Sequence, residues 1–163
     1  MYRLLESLVP LNLSTADFAA CFRVGAVGLR CNIESCQQQS LKLLADLVTK
    51  HPQEIGQTSE AVLVMAIDLM KSRDSTIHAD ALRFVSQCFS TDEPHLIDIA
   101  LSRDVLGNFE DLLCSTSTKT VRETLWGLSN ITASIEAHVN AFLSAESLFE
   151  RVLTLTCNSN HDI

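Results

Sequence analysis

The sequence predicts an all-α solenoid, and three observations carry that prediction. Apolar residues recur at helical spacing almost throughout, as in Leu41, Leu44, Leu47 and Val48 and again in Ala81, Leu82, Val85, Cys88 and Phe89. Only five Gly and three Pro punctuate the 163 residues, too few for the turns of a sandwich or barrel. The chain also repeats itself. At an offset of 43, Asp80–Cys88 (DALRFVSQC) lies over Glu123–Ile131 (ETLWGLSNI), and Val62, Leu69 and Met70 lie over Val105, Leu112 and Leu113. One more step reaches Leu148, Leu155 and Thr156, while an offset of about 41 in the other direction brings Gln39–Asp46 under Asp80–Gln87.

Each unit reads as three helices. In the third unit a short helix covers about Asp92–Leu101, after the capping cluster Ser90-Thr91-Asp92. A medium one covers Val105–Cys114 after a turn at Ser102-Arg103-Asp104, and a long one covers Lys119–Thr132, entered through Ser115–Thr118. A short, a medium and a long helix in roughly 40–47 residues is the armadillo/HEAT pattern. No single unit buries both faces of its third helix, so neighbours must stack to build a continuous core. The expectation is one right-handed armadillo superhelix over 1–163, about three and a half repeats, with units near 5–50, 51–90, 91–134 and an incomplete 135–163. Ile163 stands 43 residues beyond Thr120, where a fourth third-helix is due, so a fragment is expected.

Twenty acidic against twelve basic side chains give a net charge of −8, and an apolar fraction of 47% excludes intrinsic disorder. The longest apolar run, Ala61–Ile67, falls far short of the ~18 residues that cross a bilayer. Met1–Asn12 carries Arg3, Glu6 and Pro10 and does not read as a signal peptide, which points to cytoplasm and nucleus. A pI near 5.0 without a Lys/Arg cluster argues against nucleic acid and toward a cationic partner. Six scattered cysteines read as free thiols used as small apolar residues. Cys31 and Cys36 supply half of a metal site at most, because no second Cys/His pair stands at zinc spacing. The five histidines are equally dispersed, so no metal, cofactor or catalytic residue is assigned, and a Cys/His hydrolase is the remotest alternative. Two sequons, Asn12-Leu13-Ser14 and Asn130-Ile131-Thr132, read as chance in a chain without an export signal.

Third helices line the concave surface of an armadillo stack, so their open stripes choose the ligand. In the unit around Trp126 the stripe is Glu123, Trp126 and Asn130, with Ser129 beside it. In the two earlier units it is Gln39, Lys42, Asp46 and Asp80, Arg83, Gln87. A carboxamide carries both donor and acceptor and so matches the backbone of an extended peptide laid across the helix. An indole face offers a wall for the stem of a Lys or Arg and cation–π attraction for its head, and Glu123 is placed to meet that charge. Two blander readings compete: a single Trp packed in the core, and Lys42 and Arg83 as solvated charge.

Val121–Ala133 (VRETLWGLSNITA) resembles the armadillo repeats of importin-α, whose third helices carry a variant of K-E-A-x-W-x-x-S-N-I-T-A-G. Ala81-Leu82-Arg83 resembles the opening of that family's sixth repeat, where Arg replaces Trp; Thr91-Asp92-Glu93 resembles its T-D-E link, and His138–Leu143 the first helix of its eighth repeat. The likeness is strong over 78–145, weaker over 36–77 and almost absent over 1–35. It implies a nuclear import adaptor that binds basic, Lys/Arg-rich localisation signals at the family's minor site. Trp126 would stack on a basic side chain, Asn130 would hold backbone, Glu123 and Ser129 would be polar partners, and Arg83 and Gln87 would border the groove. It also implies an importin-β-type carrier, engaged through a segment outside this chain. Departures are Gln87 for Asn, Ser86 for Gly, Asp46 for an aromatic, and no Gly at Ser102–Asp104 or Ala145–Ser147. The alternative is a generic armadillo scaffold that does not read basic signals.

Overall fold

The computed structural model describes residues 13–56 and 59–157. Among these the chain forms nine α-helices: α1 (Thr15–Leu29), α2 (Glu34–Lys50), α3 (Glu60–Leu69), α4 (Ser75–Phe89), α5 (Pro94–Ser102), α6 (Val105–Leu113), α7 (Thr118–Thr132), α8 (Glu136–Ser144) and α9 (Glu146–Cys157). Three of them open on side-chain caps that satisfy otherwise unpaired amides. Ser14 Oγ accepts from Asp17 N–H at 3.2 Å, Asp74 Oδ1 from Thr76 and Ile77 N–H at 2.8 and 3.0 Å, and Ser117 Oγ from Thr120 N–H at 3.3 Å. Pro94 stands in the first turn of α5, where its missing N–H costs nothing and its fixed φ suits the helix.

The long helices α2, α4 and α7 lie side by side and parallel, as the pairs Lys42–Asp80, Asp46–Arg83 and Ser86–Asn130 establish. Each packs against the helix before it, α1, α3 and α6. The α1–α2 pair is a close hairpin: a Cβ on Gly28 would overlap Ser40 Oγ, and one on Gly25 would lie 2.7 Å from Leu44 Cγ. The shorter α8 and α9 stack on α7 and α6 and close the described series. A single core runs through the stack, with Leu41, Leu44, Leu63, Leu82, Phe84, Leu96 and Phe109 fully buried. Its inner end is better filled than its outer one. The helix α6 buries Val105, Asn108, Phe109, Leu112 and Leu113, whereas α9 buries only Leu148 and leaves Leu153 exposed.

The third unit has its three helices within two residues of the expected bounds, but the second departs. Its first helix is reduced to one 3₁₀ turn, Pro52–Glu54. Pro52 blocks continuation of the preceding helix, and Gly56 lies just beyond; Ile55, 1% exposed, fills the place in the core. The turn at Ser102–Asp104 works without glycine because Asp104 takes the left-handed conformation, φ 56°, which short polar side chains tolerate. Gly107 makes room for it, since a Cβ there would sit 2.7 Å from the Asp104 carboxylate. All six cysteines are free thiols, and burial pushes the Cys88 thiol far up. Among the described residues no helix is long and apolar enough to cross a membrane, and no group of three or more metal-ligating side chains is gathered.

Candidate functional site: the third-helix groove

Helical spacing puts about one residue from each turn of α2, α4 and α7 on the same side of the row of parallel helices, and mostly polar residues fill that side. The two earlier stripes face each other as a charge ladder. Lys42 Nζ lies 3.9 Å from Asp80 Oδ2, and Arg83 Nη2 lies 3.7 Å from Asp46 Oδ1. Between α4 and α7 the ladder continues in a small enclosed space of about 40 Å³ lined by Asp80, Arg83, Lys119 and Glu123. Burial pushes the carboxyls of Asp80 and Glu123 upward; Lys42, together with Arg83 and Lys119, offsets part of that for Asp80, and Arg83 and Lys119 for Glu123. Glu123 Oε1 is buried there without a hydrogen-bond partner. Lys42 and Arg83 thus each lie beside an acid of the neighbouring helix while part of each side chain stays in solvent. The chain-wide excess of acid does not collect here, because Lys42, Arg83, Lys119 and Arg122 balance Asp46, Asp80 and Glu123.

The stripe of α7 is more open. Trp126 is 40% exposed, so the single tryptophan of the chain is not core. A hollow of about 410 Å³ in front of it is lined by Thr118, Lys119, Arg122, Glu123 and Trp126. A second hollow, about 380 Å³, lies at the other end of the stripe, between Ser90–Asp92 and Asn130–Ile135.

The remaining residues singled out from sequence are brought to the same seam, with different freedom. Asn130 is half-buried and its Nδ2 donates to Ser86 O at 3.2 Å, tying α7 to α4 and leaving Oδ1 as the acceptor. Ser129 is exposed, and its hydroxyl donates to Trp126 O within the helix at 2.8 Å. Arg83 is exposed beside Asp46. Gln87 is 8% exposed, with Oε1 buried and unpaired, and so sits beneath the groove surface rather than on it. Gly127 allows the seam to close: a Cβ there would meet Ser86 Oγ at 2.7 Å and Phe109 Cζ at 2.9 Å. Sequence reasoning missed that role, although glycine in the middle of a helix is itself a signal of close approach.

Solved structures with a similar arrangement include designed ones. A designed armadillo repeat protein in complex with the peptide (KR)4 superposes with a TM-score of 0.74 at 13% identity, over 99% of this chain and 68% of that one. Computationally designed armadillo repeat proteins for modular peptide recognition give 0.73 at 12% identity, over 99% and 68%. An engineered protein gives 0.72 at 19%, over 99% of this chain and 40% of its own length. No family model and no curated protein matches the chain. The likeness establishes the fold class, an all-α, right-handed armadillo-repeat solenoid.

Proposed function

We propose that this chain is a protein-interaction scaffold that holds an extended peptide across α2, α4 and α7. The observation that carries the reading is the exposed Trp126 on the open end of a polar stripe, in front of a hollow of about 410 Å³. A large, stiff aromatic surface left in solvent beside polar side chains is what peptide-binding surfaces use as an anchor. Asn130 Oδ1 supplies a backbone acceptor one turn further on, and Arg83 and Glu123 border the path; Ser129 and Gln87 complete the wall. The scaffold binds and positions, and no reaction is assigned to it.

A finer reading is favoured by the Trp126–Asn130 spacing and its resemblance to importin-α: the peptide is basic, and the chain serves nuclear import between cytoplasm and nucleus with an importin-β-type carrier. The designed relative in complex with (KR)4 supports a basic ligand for this fold. The internal pairing of Asp46, Asp80 and Glu123 supports the broader reading, since a basic peptide must compete with Lys42, Arg83 and Lys119 for those acids. Peptides selected against the immobilised chain, followed by fluorescence anisotropy, decide between them. The scaffold reading expects selected peptides whose affinity falls about tenfold or more in Trp126→Ala, as for an aromatic anchor. Peptides unaffected by Trp126→Ala would overturn it. A (KR)4 peptide bound in a salt-dependent manner supports the import reading, and a (KR)4 peptide that fails to bind while others do removes it.

A further inference from the structure

A further cavity, about 470 Å³, is lined by α1 and the turn that leads into α2 rather than by the stripe around Trp126. Val24 and Val27, 46% and 66% exposed, form its apolar wall, and two cysteines, Cys31 and Cys36, line it as well. Cys31 stands in the non-helical turn after α1, and Cys36 in the first turn of α2.

Gly28 gathers the two cysteines. Cys31 N–H donates to Gly28 O at 3.2 Å, and a Cβ on Gly28 would lie 3.7 Å from Cys36 O, so both backbones pack on the last turn of α1. The side chains meet too, because the two thiols share a hydrogen bond. Burial, together with the Cys31 thiol beside it, pushes the Cys36 thiol up, which keeps it protonated at neutral pH. Both residues are half-buried, whereas Cys88 is sealed in the core and Cys114 meets Arg151 instead. A tetrahedral ion would need further ligands, and among the described residues no group of three or more metal-ligating side chains is gathered.

Two thiols already in contact need only a small closure to reach the ~2.05 Å of an S–S bond. Residues 30–33 lie outside the helices and α2 opens without a side-chain cap, so the movement falls on backbone free to make it. We propose that Cys31 and Cys36 form a redox-active dithiol site that closes reversibly to a disulfide by exchange with a small-molecule disulfide such as oxidised glutathione. One protein thiol, as thiolate, attacks a sulfur of that molecule; its S–S bond breaks, a mixed disulfide forms and one thiolate leaves. The second protein thiol gives up its proton and attacks the protein sulfur of the mixed disulfide, forming the Cys31–Cys36 bond and expelling the second thiolate. Both protons end on the two released thiols, and the two electrons lost by the protein pair reduce the small disulfide. The link staples the α1–α2 hairpin at its turn and does not depend on any ligand of the groove.

The test equilibrates the full chain with mixtures of oxidised and reduced glutathione, alkylates the remaining thiols and reads tryptic peptides by mass spectrometry. Cleavage after Arg30 and Lys42 releases residues 31–42, which hold these two cysteines and no other. This peptide should lose two hydrogens and resist alkylation, and a reductant should restore both thiols. The equilibrium should favour the link about tenfold or more over that in the urea-unfolded chain, because the fold already holds the thiols together. Helicity should be the same before and after oxidation. Two alkylated thiols, a link from 31–42 to another cysteine peptide, equal constants in the folded and unfolded chains, or helicity lost on oxidation would overturn the proposal.

Discussion

The two seams between the parallel helices are built on different principles. Between α2 and α4 the visible links are ion pairs, 3.7 and 3.9 Å apart, with the Arg83 side chain 48% exposed. Between α4 and α7 the links are hydrogen bonds to backbone and a close approach: Asn130 Nδ2 donating to Ser86 O at 3.2 Å, Ser86 Oγ donating to Glu123 O at 3.4 Å, and Gly127 letting the helices approach Phe109. Exposed ion pairs contribute about 0–1 kcal/mol and tolerate sliding, whereas a glycine contact and an amide bond tolerate almost none. The α4–α7 seam therefore sets the register of the groove, and the α2–α4 seam tunes its charge.

Substitutions should separate these roles in order of size. Gly127→Val should cost about 1–3 kcal/mol by overpacking against Phe109 and Ser86, read as a fall in the denaturation midpoint. Asn130→Ala should cost about 1 kcal/mol for one hydrogen bond between helices. Glu123→Gln should act in the other direction. Burial raises this carboxyl in the folded chain, so the ionised form opposes folding above its folded pKa, and the opposition disappears as pH falls to the unfolded value. The variant should melt higher than the parent at neutral pH, with the gap closing toward about pH 4. Arg83→Gln should change stability by less than about 0.5 kcal/mol, yet alter the salt dependence of any charged peptide bound in the groove. An Arg83→Gln effect as large as that of Gly127→Val would erase the contrast between the seams.

The 43-residue offset made much of the fold legible because the same residues meet the same neighbours in each unit. Ser75 and Thr118, which open α4 and α7, are 43 apart in the structure as in the alignment of the sequence on itself. The third unit followed for the same reason; α5 begins at Pro94 rather than 92 because proline takes the first turn. The second unit's missing helix was signalled by Pro52 and Gly56, but only the filling of the space by Ile55 shows that a 3₁₀ turn suffices. The candidate stripe was legible as a list of positions, not as a set of partners. That Lys42 and Arg83 answer Asp80 and Asp46 depends on how far one helix slides along the next, which no local pattern encodes.

The sparse burial of α9 has a consequence for how the chain opens. Each helix pair is held mainly by its neighbour, so local opening energy follows local burial rather than a single global value. Amides of α8 and α9, with Leu148 as the one buried residue of α9, should exchange with solvent fastest among the helical segments, and those of α2 and α4 slowest. Heat or denaturant should then release α8 and α9 before the rest. A melt followed by the fluorescence of Trp126, next to that end, should run ahead of one followed by total helicity.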